Sequence, residues 1–181
     1  MVPDGAGLEA RPAVNAAQAY LYTYPTAERP AQVRRVDGPQ TRWTFIFPPQ
    51  MGQQSARLGL GRLWLTACPL DSLIAASACE VWRLDTDTGE QTGGWSGEVW
   101  TAQADALVIV TSRQNELDAQ NSFRFTATVL RTGGEQAVAG TLKARPACGG
   151  FDVLGLRPVN GGLRFSARDG CGLLTKTFAP R

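Results

Sequence analysis

The chain of 181 residues contains no histidine. That absence removes the commonest general base, the commonest metal ligand and the side chain that titrates near neutrality. Ser-His-Asp and Cys-His catalysis and histidine-based zinc or copper sites are therefore excluded. Lysine is nearly absent too, with Lys143 and Lys176 standing against 16 arginines. The 16 acidic residues bring the formal charge to +2, and the only adjacent basic pair is Arg34-Arg35. A nucleic-acid partner, which calls for a basic stripe that releases phosphate counterions, is not expected. The planar arginine fork does suit bidentate contact with a carboxylate or phosphate, so an anionic ligand stays compatible with the composition.

Long apolar runs are missing as well. The longest, such as Leu107-Val108-Ile109-Val110, are strand-sized and far from the ~18 residues of a membrane-spanning helix. The first twenty residues lack a basic start followed by an apolar core, so no secretory signal is read there. There is no Gly-Lys-Ser/Thr phosphate loop and no Gly-x-Gly-x-x-Gly opening a helix, which leaves nucleotide hydrolysis and dinucleotide redox chemistry unsupported. No cofactor, catalytic residue or metal ligand is assigned.

What is present points to turns and short strands. The 20 glycines and 11 prolines exceed ordinary usage. From Met1 to Gln40, prolines at positions 3, 12, 25, 30 and 39 prevent any long element. Residues 1–40 read as a Pro-rich N-terminal arm, with a short helix over Ala13–Ala19 and alternating Tyr20, Tyr22 and Tyr24 on an edge strand that covers the main sheet. Residues 41–181 read as one domain.

In that domain, strands are expected over Arg42–Phe47, Ser55–Ala67 with a bend at Gly61-Arg62, Glu80–Asp85, Gly94–Ala102, Leu107–Thr111, Ser122–Arg131, Ala137–Ala144, Phe151–Arg157, Gly162–Arg168 and Leu173–Phe178. Leu107–Thr111, apolar on both faces, reads as a central strand. Asp71 caps one short helix over Ser72–Cys79. Asn160-Gly161 and Asp169-Gly170 are strong hairpin signals. No internal repeat of fixed period is visible, which argues against propellers and solenoids. The expected fold is all-β: an antiparallel β-sandwich of jelly-roll type with about nine or ten strands, or alternatively a partly open β-barrel.

The four cysteines form no Cys-x-x-Cys knuckle, and their separations of 11, 69 and 23 residues do not fit a zinc ribbon. The sequence-local pairing, Cys68 with Cys79 and Cys148 with Cys171, is preferred as a structural disulfide framework over four free thiols. It places the chain in an oxidising compartment: periplasm, cell surface or secreted. The alternative is a cytoplasmic or virion protein with reduced cysteines.

Three constellations deserve weighing. Asp85-Thr86-Asp87-Thr88-Gly89-Glu90 begins like a calcium loop but lacks the later ligands, so it reads as a hairpin turn. Gly94-Trp95-Ser96-Gly97 has the flavour of a nucleophile elbow without a histidine partner. Glu80, Glu98 and Asp152, with Trp82, Trp95 and Trp100 nearby in sequence, form the only grouping suited to sugar chemistry, in which two carboxylates face each other above an aromatic floor. The candidate ligand surface is thus Trp82, Trp95, Trp100, Tyr20, Tyr22 and Tyr24. The expected role is a non-catalytic extracytoplasmic binding or assembly module of a cell envelope, whose partner is a protein or another copy of the chain. A virion or surface-layer subunit and a carbohydrate-binding or glycan-cleaving domain are the alternatives.

Overall fold

A computed structural model describes residues 9–12, 18–70, 78–116 and 122–181. Fifteen strands run through them: β1 (Glu9–Pro12), β2 (Gln18–Thr23), β3 (Gln32–Asp37), β4 (Gln40–Ile46), β5 (Met51–Gly59), β6 (Arg62–Pro69), β7 (Glu80–Leu84), β8 (Gln91–Ser96), β9 (Glu98–Ala102), β10 (Ala106–Glu116), β11 (Ser122–Arg131), β12 (Gly134–Lys143), β13 (Asp152–Val159), β14 (Gly162–Asp169) and β15 (Gly172–Phe178). All pair antiparallel, and within each sheet the spatial order follows the chain: β1 to β4, β5 to β8, β9 to β12, and β13 to β15. The protein is an all-β antiparallel sandwich with no sheet closed into a barrel. Its layers are meanders, without the crossing connections of a jelly roll.

Three apolar clusters join these sheets face to face. Tyr20, Tyr22, Val33, Trp43 and Phe47 of the first sheet and its flanks meet Leu63, Leu65, Ala67, Trp82 and Leu84 of the second. Trp64 and Val81, on the opposite face of the second sheet, meet Val99, Leu107, Ile109 and Leu130 of the third. Val108, Val110, Phe123, Phe125, Ala127 and Val129 then meet Leu156, Leu163, Phe165 and Ala167 of the fourth. Period-two alternation explains the division, since successive side chains leave a strand on opposite faces. Strands β6, β7, β10 and β11 serve two interfaces each, and Ala106–Val110 is accordingly buried at every position. Each fully buried Phe, such as Phe123, Phe125 and Phe165, contributes about 1.5–3 kcal/mol by leaving water. Among the described residues no cluster links the first sheet to the fourth, so the stack is open at both ends.

Several elements differ from expectation for local reasons. Ser55–Ala67 is a hairpin, not one bent strand, because Leu60 (φ 52°) and Gly61 (φ 67°) both take the left-handed conformation of a two-residue turn. Gly94–Ala102 is two strands in two different sheets: the chain leaves the second sheet and enters the third at Gly97 (φ 126°), whose amide donates to the Cys79 carbonyl at 2.7 Å. From β4 onward there are twelve strands instead of nine or ten. Strand β2 lies between β1 and β3 and is not an edge. The expected helices over Ala13–Ala19 and Ser72–Cys79 fall mostly outside the described residues; Gln18 and Ala19 already belong to β2.

Both disulfides have the sequence-local pairing, Cys68 with Cys79 and Cys148 with Cys171. The first ties β6 to the start of β7. The second ties the segment after β12 to the turn between β14 and β15.

Candidate ligand-binding site

Where the edges of three sheets come together, a cleft of about 550 Å³ opens between β5, β9, β10 and β13. Edge strands β9 and β13 are joined across it by the Thr101 hydroxyl, which donates to the Leu156 carbonyl. One wall is Trp100, half-buried, its ring 5.7 Å from that of Phe123. The opposite wall is the β13 segment from Val153 to Arg157, where the pairing with β14 slips between Val153 and Gly155 and leaves Leu154 exposed. Three arginines on three different sheets line the cleft: Arg57 on β5, Arg113 on β10 and Arg157 on β13.

These guanidinium groups are not equivalent. Arg113 lies over the Trp100 ring at 5.7 Å and reaches Glu98 Oε1 at 3.4 Å, while the Trp100 indole Nε1 donates to Glu98 Oε2 at 3.3 Å. Glu98 thereby orients Arg113 and Trp100 together. Arg57 and Arg157 are exposed and have no ion-pair partner among the described residues. The cleft therefore presents two uncompensated positive charges and one oriented arginine beside an aromatic ring. That arrangement matches a ligand with a carboxylate or phosphate attached to a body that packs on an indole face.

The residues expected to form a ligand surface divide sharply. Trp100 lines the cleft. Trp82 is largely buried between the first two sheets against Phe45 and Phe47, and Tyr20 and Tyr22 are largely buried in the same cluster against Trp43 and Phe47, although Tyr20 also lines a second hollow of about 500 Å³ with Leu58, Thr86 and Ala102. Tyr24 is exposed at the end of β2, packed edge-on to Tyr22. Trp95 is half-buried between the second and third sheets, with Trp64 at 5.2 Å, Arg83 at 5.5 Å and Glu135 at 3.4 Å from its Nε1. It faces a separate, smaller hollow of about 250 Å³. Glu80 and Asp152 are exposed.

The acidic turn after β7 is a docking element. The Asp85 carboxylate accepts from the amides of Asp87 and Thr88 at 2.9 and 3.0 Å, and these contacts hold its pKa below the ordinary carboxylate value. Buried Arg35 donates to Asp87 at 2.8 Å and to the Thr86 carbonyl, which also accepts from Trp43 Nε1 at 3.0 Å. The Thr86 carbonyl and the Asp87 carboxylate thus fasten this turn to the first sheet, whereas the Asp85 carboxylate closes the turn itself and lies 3.4 Å from Arg62 Nη1 of the second sheet. Among the described residues, the two groups of sulfur and carboxylate atoms near enough to share a metal, Cys68/Cys79/Glu98 and Cys148/Asp169/Cys171, are each built on a disulfide whose sulfurs supply no thiolate.

Arg57, Arg113 and Arg157 were not among the residues singled out from the sequence. The one available signal was the preference for arginine over lysine. Nothing in the chain says that positions 57, 113 and 157 converge, because that depends on how three sheet edges meet. A comparison with known proteins gives no match: no family model, curated protein or solved structure resembles the chain at a significant level.

Proposed function

We propose that this protein is a non-catalytic extracytoplasmic binding module, of the cell envelope or secreted, whose ligand is an anionic sugar held in the arginine-lined cleft. The observation that carries the reading is that Arg57, Arg113 and Arg157, from three sheets, line one cleft with Trp100, over whose ring Arg113 lies. Two disulfides support the compartment, since such bridges persist where the surroundings are oxidising. Against glycan cleavage stands the engagement of Glu98, the only acid beside the cleft among the three considered from the sequence, with both Arg113 and Trp100.

The test is a titration followed by tryptophan fluorescence, using galacturonate and glucose 6-phosphate as acidic probes and galactose as the neutral one. At least one acidic probe is expected to bind with a Kd on the order of 1 mM, a reasonable strength for a single small sugar. Galactose should bind at least tenfold more weakly, Trp100→Ala should abolish the response, and Arg57→Gln should weaken it severalfold. Equal affinity for acidic and neutral sugars, or silence toward both acidic probes, defeats the proposal.

A further inference from the structure

We infer that the cleft is one end of a longer track, and that the ligand is an acidic polysaccharide continuing from it across the outer face of the fourth sheet. This rests on the cleft reading above and adds the class of polymer. Leu163, Phe165 and Ala167 of β14 point inward and are buried, so Arg164, Ser166 and Arg168 occupy the opposite face. On β13, buried Leu156 fixes Arg157 on that same outer face. Arg157 and Arg164 are register partners, and Thr177 of β15 is the next neighbour in the row. Arg157 also lines the cleft, which makes the face and the cleft continuous.

Like charges directly opposite across an antiparallel pair repel. The Arg157 and Arg164 pair has no acidic partner among the described residues, nor is Arg168 ion-paired, although Asp152 is its register partner. An anionic group seated between Arg157 and Arg164 relieves that repulsion through two charge-assisted forks. Arg164 and Arg168 are four residues apart on β14, about 13 Å at the ~3.3 Å rise of a strand, which is longer than one sugar ring and calls for a second anionic unit. Hydroxyls of Ser166 and Thr175 lie between them on this face, and that of Thr177 stands level with Arg164.

The face carries no aromatic side chain on which bases would stack, which disfavours single-stranded nucleic acid. Leu173 beside Arg168 is its only large apolar group away from the cleft, too little for insertion into a lipid surface.

The experiment compares polygalacturonate, monomeric galacturonate, a single-stranded oligonucleotide of matched charge and anionic phosphatidylserine vesicles, using wild-type protein and the Arg164→Gln/Arg168→Gln double variant. The expected result is that the wild type binds polygalacturonate at least about tenfold more tightly, per binding site, than the monomer. The double variant should lose this advantage while keeping wild-type affinity for the monomer, which also reports that its fold and cleft are intact. A polymer no tighter than the monomer, or equally tight in the double variant, overturns the track while leaving the cleft standing. Loss of monomer binding in the wild type defeats the cleft itself. Tighter binding of the oligonucleotide or the vesicles than of the polysaccharide overturns the assignment of the polymer.

Discussion

The Asp169 side chain is fully buried and accepts four hydrogen bonds. Its carboxylate accepts from Arg145 Nη2 at 2.6 Å, from Arg145 Nε at 3.0 Å, and from the amides of Arg145 and Cys171 at 3.1 and 2.9 Å, with no side-chain exposure. The Arg145 hydrogen bonds hold its pKa far below the ordinary value, outweighing the opposing effect of burial. A carboxylate whose folded pKa is depressed contributes stability that is present above its unfolded pKa and lost as the pH falls toward the folded one. The melting temperature of the wild type is therefore expected to hold steady above about pH 5 and to decline progressively below about pH 4. Asp169→Asn should melt lower near neutrality and decline less on acidification, as thermal scans between pH 2 and 7 would reveal; parallel curves for the two proteins would refute the assignment. At this scale the cysteines were legible, because their separations favoured one pairing of three. The arginines were not: Arg35 anchors a turn, Arg145 fastens a disulfide loop, and Arg113 lines the candidate cleft, roles set by distant partners that no flanking residue announces.

Strand placement followed from alternation and turn residues wherever one face met solvent, as at β11, whose limits Ser122–Arg131 match the reading of the sequence. It failed where the deciding contact was distant. Nothing local in Gly94–Ala102 announces a change of sheet; the reason lies in Val110, since a Cβ on Gly97 would stand 2.3 Å from the Val110 carbonyl oxygen, and φ at this residue is 126°. Gly97→Ala is accordingly expected to cost at least about 2 kcal/mol, from a strained backbone together with a clash against an immobile main chain. Gly133→Ala, with nothing within 4 Å and no positive φ, should change stability by no more than about 0.5 kcal/mol. Urea denaturation of the two variants makes the comparison, and similar midpoints would mean that the transfer between sheets does not depend on this glycine. The meander recurs from sheet to sheet without a repeat in sequence because each layer has different neighbours. The second and third are covered on both faces, whereas the first and fourth each keep one face toward solvent.

Across the whole molecule the two disulfides close loops of 11 and 23 residues, and neither bridge connects one end of the stack to the other. On a chain-entropy account each contributes about 3 kcal/mol by restricting the unfolded chain. Thiol titration of the denatured, unreduced protein should find no free cysteine, and Cys148→Ser/Cys171→Ser should lower unfolding stability by about 2–4 kcal/mol while leaving far-ultraviolet circular dichroism strand-like. Unchanged stability in that variant would mean that the Arg145 and Asp169 contacts hold the turn unaided. The stack has another consequence. Because every layer is a contiguous stretch of chain whose buried apolar clusters join it to the layers before and after it, cooperativity passes mainly in one dimension, and opening begins at the two ends. Amide exchange should accordingly be slowest in β6, β7, β10 and β11 and faster toward either terminus, so that a ligand clamped across the last layer would slow exchange there most of all.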